Sequence, residues 1–83
     1  MSHPLKEIEK EELKKLGDRV KSIRISKNLT LEEVAKRIGK DRQSIHSLEK
    51  GQFNPSYIYL VAVSRGLGID VSELVKDIDT EPF

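Results

Sequence analysis

The stretch from residue 41 to residue 51, DRQSIHSLEKG, carries polar side chains that could contact a nucleic acid. It has the pattern of a short helix, in which a rotation of about 100° per residue places Ile45 and Leu48 on one side. The opposite side holds Gln43, His46, Ser47 and Lys50, with Arg42 and Glu49 at the boundary. Such a helix fits the major groove of B-DNA, where base edges are accessible. The alternative is an ordinary solvated helix face.

Side-chain chemistry assigns different roles to the residues of this helix and its surroundings. Gln43 can form two hydrogen bonds with adenine, Arg42 can form two with guanine, and Ser47 lies one turn beyond Gln43. We group His46 with these base-contacting residues, although a phosphate contact or a solvent-exposed position stays open for it. Phosphate contacts orient a protein without specifying sequence. For these we predict Lys50, Gln52 and Asn54, together with Thr30 before the preceding helix.

Charge is distributed unevenly along the chain. The formal net charge of the 83 residues is only +1. Residues 17–51 nevertheless hold nine Lys and Arg against five Asp and Glu, whereas residues 52–83 hold two against five. A basic middle third suits a polyanionic partner such as double-stranded DNA. Charge alone does not separate this hypothesis from an ordinary solvated surface.

Composition excludes several classes of function. The chain has no cysteine, and its two histidines, His3 and His46, lie far apart, so no disulfide or metal site is expected. No nucleophile–base set or phosphate-binding loop is present, so we expect neither an enzyme nor a cofactor or small-molecule ligand. No apolar run approaches about 18 residues and the N-terminus lacks an apolar signal core, which predicts a cytoplasmic protein without membrane contact.

Five helices with short connections are predicted from the apolar spacing and the capping residues. The first ends near Lys27 and Asn28. The next two begin at Thr30, which forms a capping box with Glu33, and at Asp41, and they end at Gly39 and Gly51. The fourth follows Ser56 and ends at Gly68, and Asp70 with Glu73 predicts a cap for the fifth. Ile78 is a further apolar candidate in that last helix.

The chain divides into three parts at this stage. Residues 1–15 are a helical extension, for which a dimerisation arm is the weaker alternative, and residues 77–83 are a short tail. Residues 16–76 form the domain, where two short helices joined at Gly39 have the shape of a helix-turn-helix. Phe53, after the second of these helices, has two interpretations: a cap on the core or a contact with a partner.

The run LGDRVKSIRISKNLTLEEVAKRIGKDRQSIHSLEKGQFNPS, followed by LGIDVSELV, resembles the lambda-repressor/Cro-like helix-turn-helix domains, also called XRE-type. The resemblance covers about residues 16–76 and implies an all-α, compact five-helix bundle whose third helix is the recognition helix. It implies base contacts by Arg42, Gln43 and Ser47, and phosphate contacts by Ser44 and the loop after helix 3. It also implies an ion pair between Arg24 of helix 1 and Glu49.

The chain departs from the pattern of that family in three respects. Leu31 stands where many members carry a glutamine that bridges a phosphate and the recognition helix, so that contact is not expected. Ser64 and Gly66 replace the usual alanines of helix 4, which predicts a looser helix. Asp41 is an acidic residue near expected phosphates, and we interpret it as a structural cap.

The function predicted from the sequence is a sequence-specific DNA-binding transcriptional regulator that acts as a homodimer on a two-fold site. A single short helix contacts few base pairs, and two half-sites about 34 Å apart would lengthen the recognised sequence. The predicted dimer surface is an apolar C-terminal set: Leu67, Ile69, Val71, Leu74 and Val75. The alternative is an antitoxin-like module that neutralises a partner and regulates its own operon, for which a long partner-binding tail would be expected.

Overall fold

The computed structural model of the protein describes residues 4–76, and these form five helices. The helices are α1 (Pro4–Ser26), α2 (Leu31–Ile38), α3 (Arg42–Glu49), α4 (Tyr57–Leu67) and α5 (Val71–Val75). This part of the chain contains no strand, so the predicted all-α, five-helix fold is confirmed. His3, Ile78 and the tail from residue 77 lie outside the described residues. None of the helices within 4–76 combines the length and hydropathy that crossing a bilayer requires.

All five helices contribute to one hydrophobic core. Its buried members are Leu16, Val20, Val34, Ala35, Ile45, Leu48, Val63, Leu67 and Leu74. From α3, Ile45 and Leu48 enter this core, and α3 packs against both α1 and α2. Phe53 packs against the same core from outside, which favours the first of its two interpretations. The two apolar residues of α3 therefore fix which of its faces points outward.

Local hydrogen bonds fix where the helices begin and end. Thr30 and Glu33 form the predicted capping box, in which the Thr30 hydroxyl accepts from the Glu33 amide and the Glu33 carboxylate accepts from the Thr30 amide, each at 3.0 Å. The carboxylate of Asp41 accepts from the Ser44 amide at 2.7 Å. Asp70 is the N-cap residue of α5, as predicted, but its side chain makes no capping bond, and only its carbonyl accepts from the Glu73 amide.

A glycine in the middle of α1 lets α1 and α3 approach closely. A Cβ atom on Gly17 would lie 2.4 Å from the Glu49 carbonyl oxygen and 2.6 Å from that of Leu48. Real side chains do not tolerate such distances to backbone atoms, so the crossing requires glycine. The C-terminal end of α3 is thereby held directly against α1.

The two departures in α4 take part in its packing. A Cβ atom on Gly66 would lie 2.7 Å from a methyl carbon of Ile38, so glycine allows α2 and α4 to approach. Ser64 is buried and its hydroxyl donates to the Val61 carbonyl at 2.7 Å. Arg37 also donates to the Gly66 carbonyl at 2.9 Å. Both residues therefore have contacts of their own, and the looser helix stays a prediction.

The predicted dimer surface needs correction at two of its five positions. Leu67 is 1% exposed and Leu74 is 0% exposed, because both complete the core of the single chain. Ile69 and Val71 are partly buried, and Val75 remains exposed. The apolar C-terminal residues thus mainly join α5 to α4. Of the five, only Ile69, Val71 and Val75 can face a partner.

Candidate nucleic-acid interface

The outward face of α3 presents Arg42 and Gln43 at its N-terminal end and Ser47 one turn later. Arg42 and Gln43 are exposed, and Ser47 is half-buried. The Gln43 side-chain amide donates to the Ser47 hydroxyl at 3.3 Å. This bond leaves the amide oxygen of Gln43 as an acceptor, so the pair can act as one hydrogen-bonding unit toward a base edge.

The flank of α3 that faces α4 is occupied by an aromatic cluster. The Ser44 hydroxyl is hydrogen-bonded to the Tyr59 hydroxyl, and the Tyr59 ring meets Phe53 edge-on at 5.4 Å between centroids. The ammonium group of Lys40 lies 5.8 Å from the centre of the Tyr59 ring. Burial raises the pKa of Tyr59. Ser44, a predicted phosphate contact, is therefore already bonded within the protein, although its hydroxyl can still take part in a second bond.

On the opposite flank, a buried ion pair joins α3 to α1. Arg24 donates through Nε to one oxygen of Glu49 at 2.6 Å and through Nη2 to the other at 3.0 Å. The third bond of this guanidinium, from Nη1, goes to the Leu29 carbonyl at 2.8 Å. The side chains are 12% and 4% exposed, and the bond to Glu49 raises the pKa of Arg24. One arginine thus ties together α1, the loop before α2, and the end of α3.

His46 does not lie on the face formed by Gln43 and Ser47. It is half-buried and turns toward α1, where it lines a groove with Lys14, Lys21 and Lys50. Within residues 4–76, no group of histidines and carboxylates is placed to hold a metal ion. Among the uses considered for His46, this position favours a contact with the DNA backbone over a contact with a base.

The residues predicted to bind phosphate lie at the rim of the α3 face. Lys50, Gln52 and Asn54 are all exposed. The side-chain amide of Asn54 donates to the Glu9 carboxylate at 3.5 Å. Thr30 is exposed just before α2, and its hydroxyl accepts from the Glu33 amide in the capping box.

Leu31 contributes to packing and not to this rim. Its side chain is half-buried against the hydrophobic core, at the first position of α2. A leucine side chain has no donor that could bond to a phosphate. The bridging contact made by glutamine in many similar domains therefore has no equivalent at this residue.

Three residues that shape the interface were not found from the sequence. Gly17 and Tyr59 hold α3 from either side, and Lys40 lies over the Tyr59 ring. The only available signal was for Ser44, which the helical wheel places beside the apolar stripe and hence near a neighbouring helix. No pattern in the sequence indicated that this neighbour would be Tyr59.

Comparison with known proteins gives consistent similarities. Residues 20–74 match the family model described as Helix-turn-helix. An uncharacterized HTH-type transcriptional regulator of Sinorhizobium fredii, y4dJ, is 40% identical over 70 residues, or 84% of this chain and 91% of that protein. Control protein C.MunI of a Mycoplasma species is 40% identical over 68 residues, or 81% of this chain and 92% of that protein.

A solved structure agrees with these sequence relatives. The restriction-modification controller protein C.AhdI from Aeromonas hydrophila superposes with a TM-score of 0.73 at 34% identity. The match covers 75% of this chain and 94% of C.AhdI. The chain is therefore similar to nearly the whole length of each of these proteins and not to a fragment of them.

Proposed function

This chain belongs to the XRE-type helix-turn-helix family of DNA-binding transcription regulators and is related to restriction-modification controller proteins, and we propose that it binds one specific operator sequence as a homodimer. Proteins of this family are regulators and not enzymes. The observation that carries the proposal is the outward face of α3, where Arg42, Gln43 and Ser47 lie free of the core. We assign base contacts to these three residues.

The geometry of α3 supports this assignment. The helix has eight residues, and its two best base-contacting side chains lie in its first turn, the end that meets base edges in a helix-turn-helix. The positive end of the helix dipole lies at the same place and favours the approach of a polyanion. Behind this face, the core residues and the Arg24–Glu49 pair hold α3 in one orientation.

The phosphate contacts of the proposal come from the rim. Lys50, Gln52, Asn54 and Thr30 are exposed around the α3 face, and Ser44 can add a bond at its α4 flank. Such contacts would fix the register of α3 in the groove without choosing a sequence. His46 joins this group in the proposal, because it faces the groove lined by lysines.

A homodimer is supported by the composition of α4. One side of α4 enters the core, yet the opposite side exposes two large apolar residues, Tyr57 at 66% and Ile58 at 72%, with Arg65 further along the same side. Val61 and Ala62 continue this outer face of α4 along the helix, and both are only half-buried. A group of large apolar side chains exposed on one helix face is typical of a contact with another protein. We therefore place the dimer contact on the outer face of α4, extended by Ile69, Val71 and Val75.

The related controller proteins favour a narrower version of this function. C.MunI is a control protein, and C.AhdI is a restriction-modification controller protein. We therefore propose that this chain also controls a restriction-modification operon. Chromatin immunoprecipitation in the source organism tests this version. Enrichment of a promoter next to restriction and methylation genes supports it, and enrichment only at unrelated promoters contradicts it.

Selection from random duplex DNA tests the main proposal most directly. We expect the enriched sequences to share a two-fold consensus whose half-site centres are about 34 Å, or one helical turn, apart. A consensus with a single half-site would contradict the dimer but keep the base contacts. A pool without any shared sequence would contradict sequence-specific binding altogether.

A further inference from the structure

A basic groove runs between α1 and α3, next to the outward face of α3. It has a volume of about 750 Å³ and is open to solvent. The cationic side chains that line it are Lys10, Lys14, Lys21 and Lys50, with His46 between them. Three carboxylates line it as well, but Glu49 is already paired with Arg24, which leaves Glu11 and Asp18. The groove therefore keeps an excess of positive charge.

Three lysines of α1 form one stripe that lines this groove. Lys10, Lys14 and Lys21 are spaced by four and seven residues, which places them on one face of a continuous helix. Lys15 lies outside the groove and pairs with Glu12 at 3.4 Å. Lys10 and Lys14 also precede residues 20–74, the part matched by the family model, so the matched part does not account for them.

The first half of α1 is held in place beside α3. A Cβ atom on Gly51 would lie 3.1 Å from the Leu13 carbonyl oxygen and 3.2 Å from the Lys14 Cα, so the two backbones are in contact there. The Asn54–Glu9 contact joins the loop after α3 to the preceding turn of α1. Lys10 and Lys14 are thereby fixed at the end of α3 that carries Lys50.

We infer that Lys10 and Lys14 bind backbone phosphates of the DNA that flanks the bases contacted by α3, so that α1 extends the operator contact outward. This inference rests on the proposed function. A lysine ammonium on a flexible stem makes contacts of this kind, which add affinity without adding sequence preference. The groove is open and continues from Lys50 along α1, which suits an extended polyanion better than a small enclosed ligand.

The test uses the full chain and the operator obtained by selection, once with no flanking sequence and once with about ten base pairs added on each side. The double variant Lys10→Ala/Lys14→Ala is compared with Lys15→Ala/Lys27→Ala, which removes the same charge outside the groove, from one lysine in α1 and one just after it. For the flanked operator we expect the groove variant to lose roughly 10- to 100-fold in affinity at 0.1 M salt, because a dimer would lose about four phosphate contacts. The slope of log affinity against log salt should become shallower by about 3 to 4.

On the trimmed operator, the groove variant and the wild-type protein should bind equally, and the penalty for a changed base should be the same in both. A Lys10→Arg/Lys14→Arg variant should recover the flank-dependent affinity.

If the groove variant keeps the affinity and salt slope of the control on the flanked operator, the inference is overturned while the proposed function stands. If, in addition, the groove variant binds polyglutamate more weakly than the wild-type protein does, the groove binds an acidic protein instead of DNA. Absence of any sequence preference in the wild-type protein would instead overturn the proposed function.

Discussion

Arg24 and Glu49 form a buried, two-bond ion pair across 25 residues of sequence, and the third guanidinium bond holds the Leu29 carbonyl. The pair links α1 directly to the C-terminal end of α3. Because its groups are shielded from water, removal of one partner leaves a charge without compensation. The pair therefore controls whether α3 keeps its orientation.

The substitution Glu49→Ala should lower the free energy of unfolding by about 3–5 kcal/mol, because the Arg24 guanidinium would stay buried without its partner. Urea unfolding followed by circular dichroism measures this change. The control is Lys15→Ala, which breaks the exposed Lys15–Glu12 pair and should cost less than about 1 kcal/mol. Equal unfolding midpoints for Glu49→Ala and the control would show that the buried pair has no stabilising role.

The substitution Gly17→Ala should destabilise the fold, although alanine is the better helix former by about 1 kcal/mol. The added Cβ would meet the Glu49 and Leu48 carbonyls, so α1 and α3 would have to move apart, at a cost of about 1–3 kcal/mol. The change in unfolding midpoint gives the sign directly. Ser22→Ala, at an exposed position of the same helix, serves as control, and a more stable Gly17→Ala protein would contradict the close crossing.

The capping box should make part of the stability depend on pH. The bonds from Thr30 lower the pKa of Glu33, the backbone bond more than the side-chain bond, so folding favours the charged form. This contribution is complete above the ordinary glutamate pKa of about 4.3 and is lost as pH falls through the lower folded value. Glu33→Gln keeps an acceptor oxygen but removes the charge.

The difference in urea midpoint between wild type and Glu33→Gln should therefore be present at pH 7 and close in acid. Glu32→Gln, in the same first turn but outside the capping box, is the control and should show no such trend. A wild-type advantage over Glu33→Gln that persists unchanged below the lowered pKa would show that the charge is not responsible.

The sequence predicted well what depends on neighbours along the chain. Thr30 with Glu33, and Asp41 with the Ser44 amide, lie three residues apart, so their geometry follows as soon as the helix forms. Gly17 escaped prediction because its function depends on carbonyls at residues 48 and 49. The same limit explains the error at Leu67 and Leu74, since an apolar pattern marks a face without telling whether its own chain or a second one covers it.

Within the recognition helix, the wheel separated inside from outside but not one neighbour from another. Ile45 and Leu48 were placed correctly in the core. The wheel could not show that Ser44 would bond to Tyr59 or that His46 would turn toward the lysines of α1. Both outcomes depend on how α1 and α4 flank α3, which is a property of the whole packed domain.

The substitution Gln43→Ala should weaken binding to the selected operator by about 1–3 kcal/mol and relax the preference at one base position. Lys50→Ala should weaken binding to all sequences alike and reduce the salt slope by about 1 for each phosphate lost. Competition binding with operators changed at single positions distinguishes the two effects. If both variants lose affinity uniformly across sequences, Gln43 does not contact a base.

The substitution Ile58→Lys should separate the dimer without unfolding the chain. Ile58 lies on the outer face of α4, whereas the core of the same helix is supplied by Val63 and Leu67 from its other side. Sedimentation equilibrium should show monomers at concentrations where the wild-type protein is dimeric, with unchanged helical circular dichroism. Operator affinity should fall as well, because half-sites would then be bound independently.

Ile25→Lys places the same charge at an exposed isoleucine of α1, outside the proposed surface, and should leave the dimer intact. A dimer that survives Ile58→Lys but is lost in Ile25→Lys would move the contact from α4 to the end of α1.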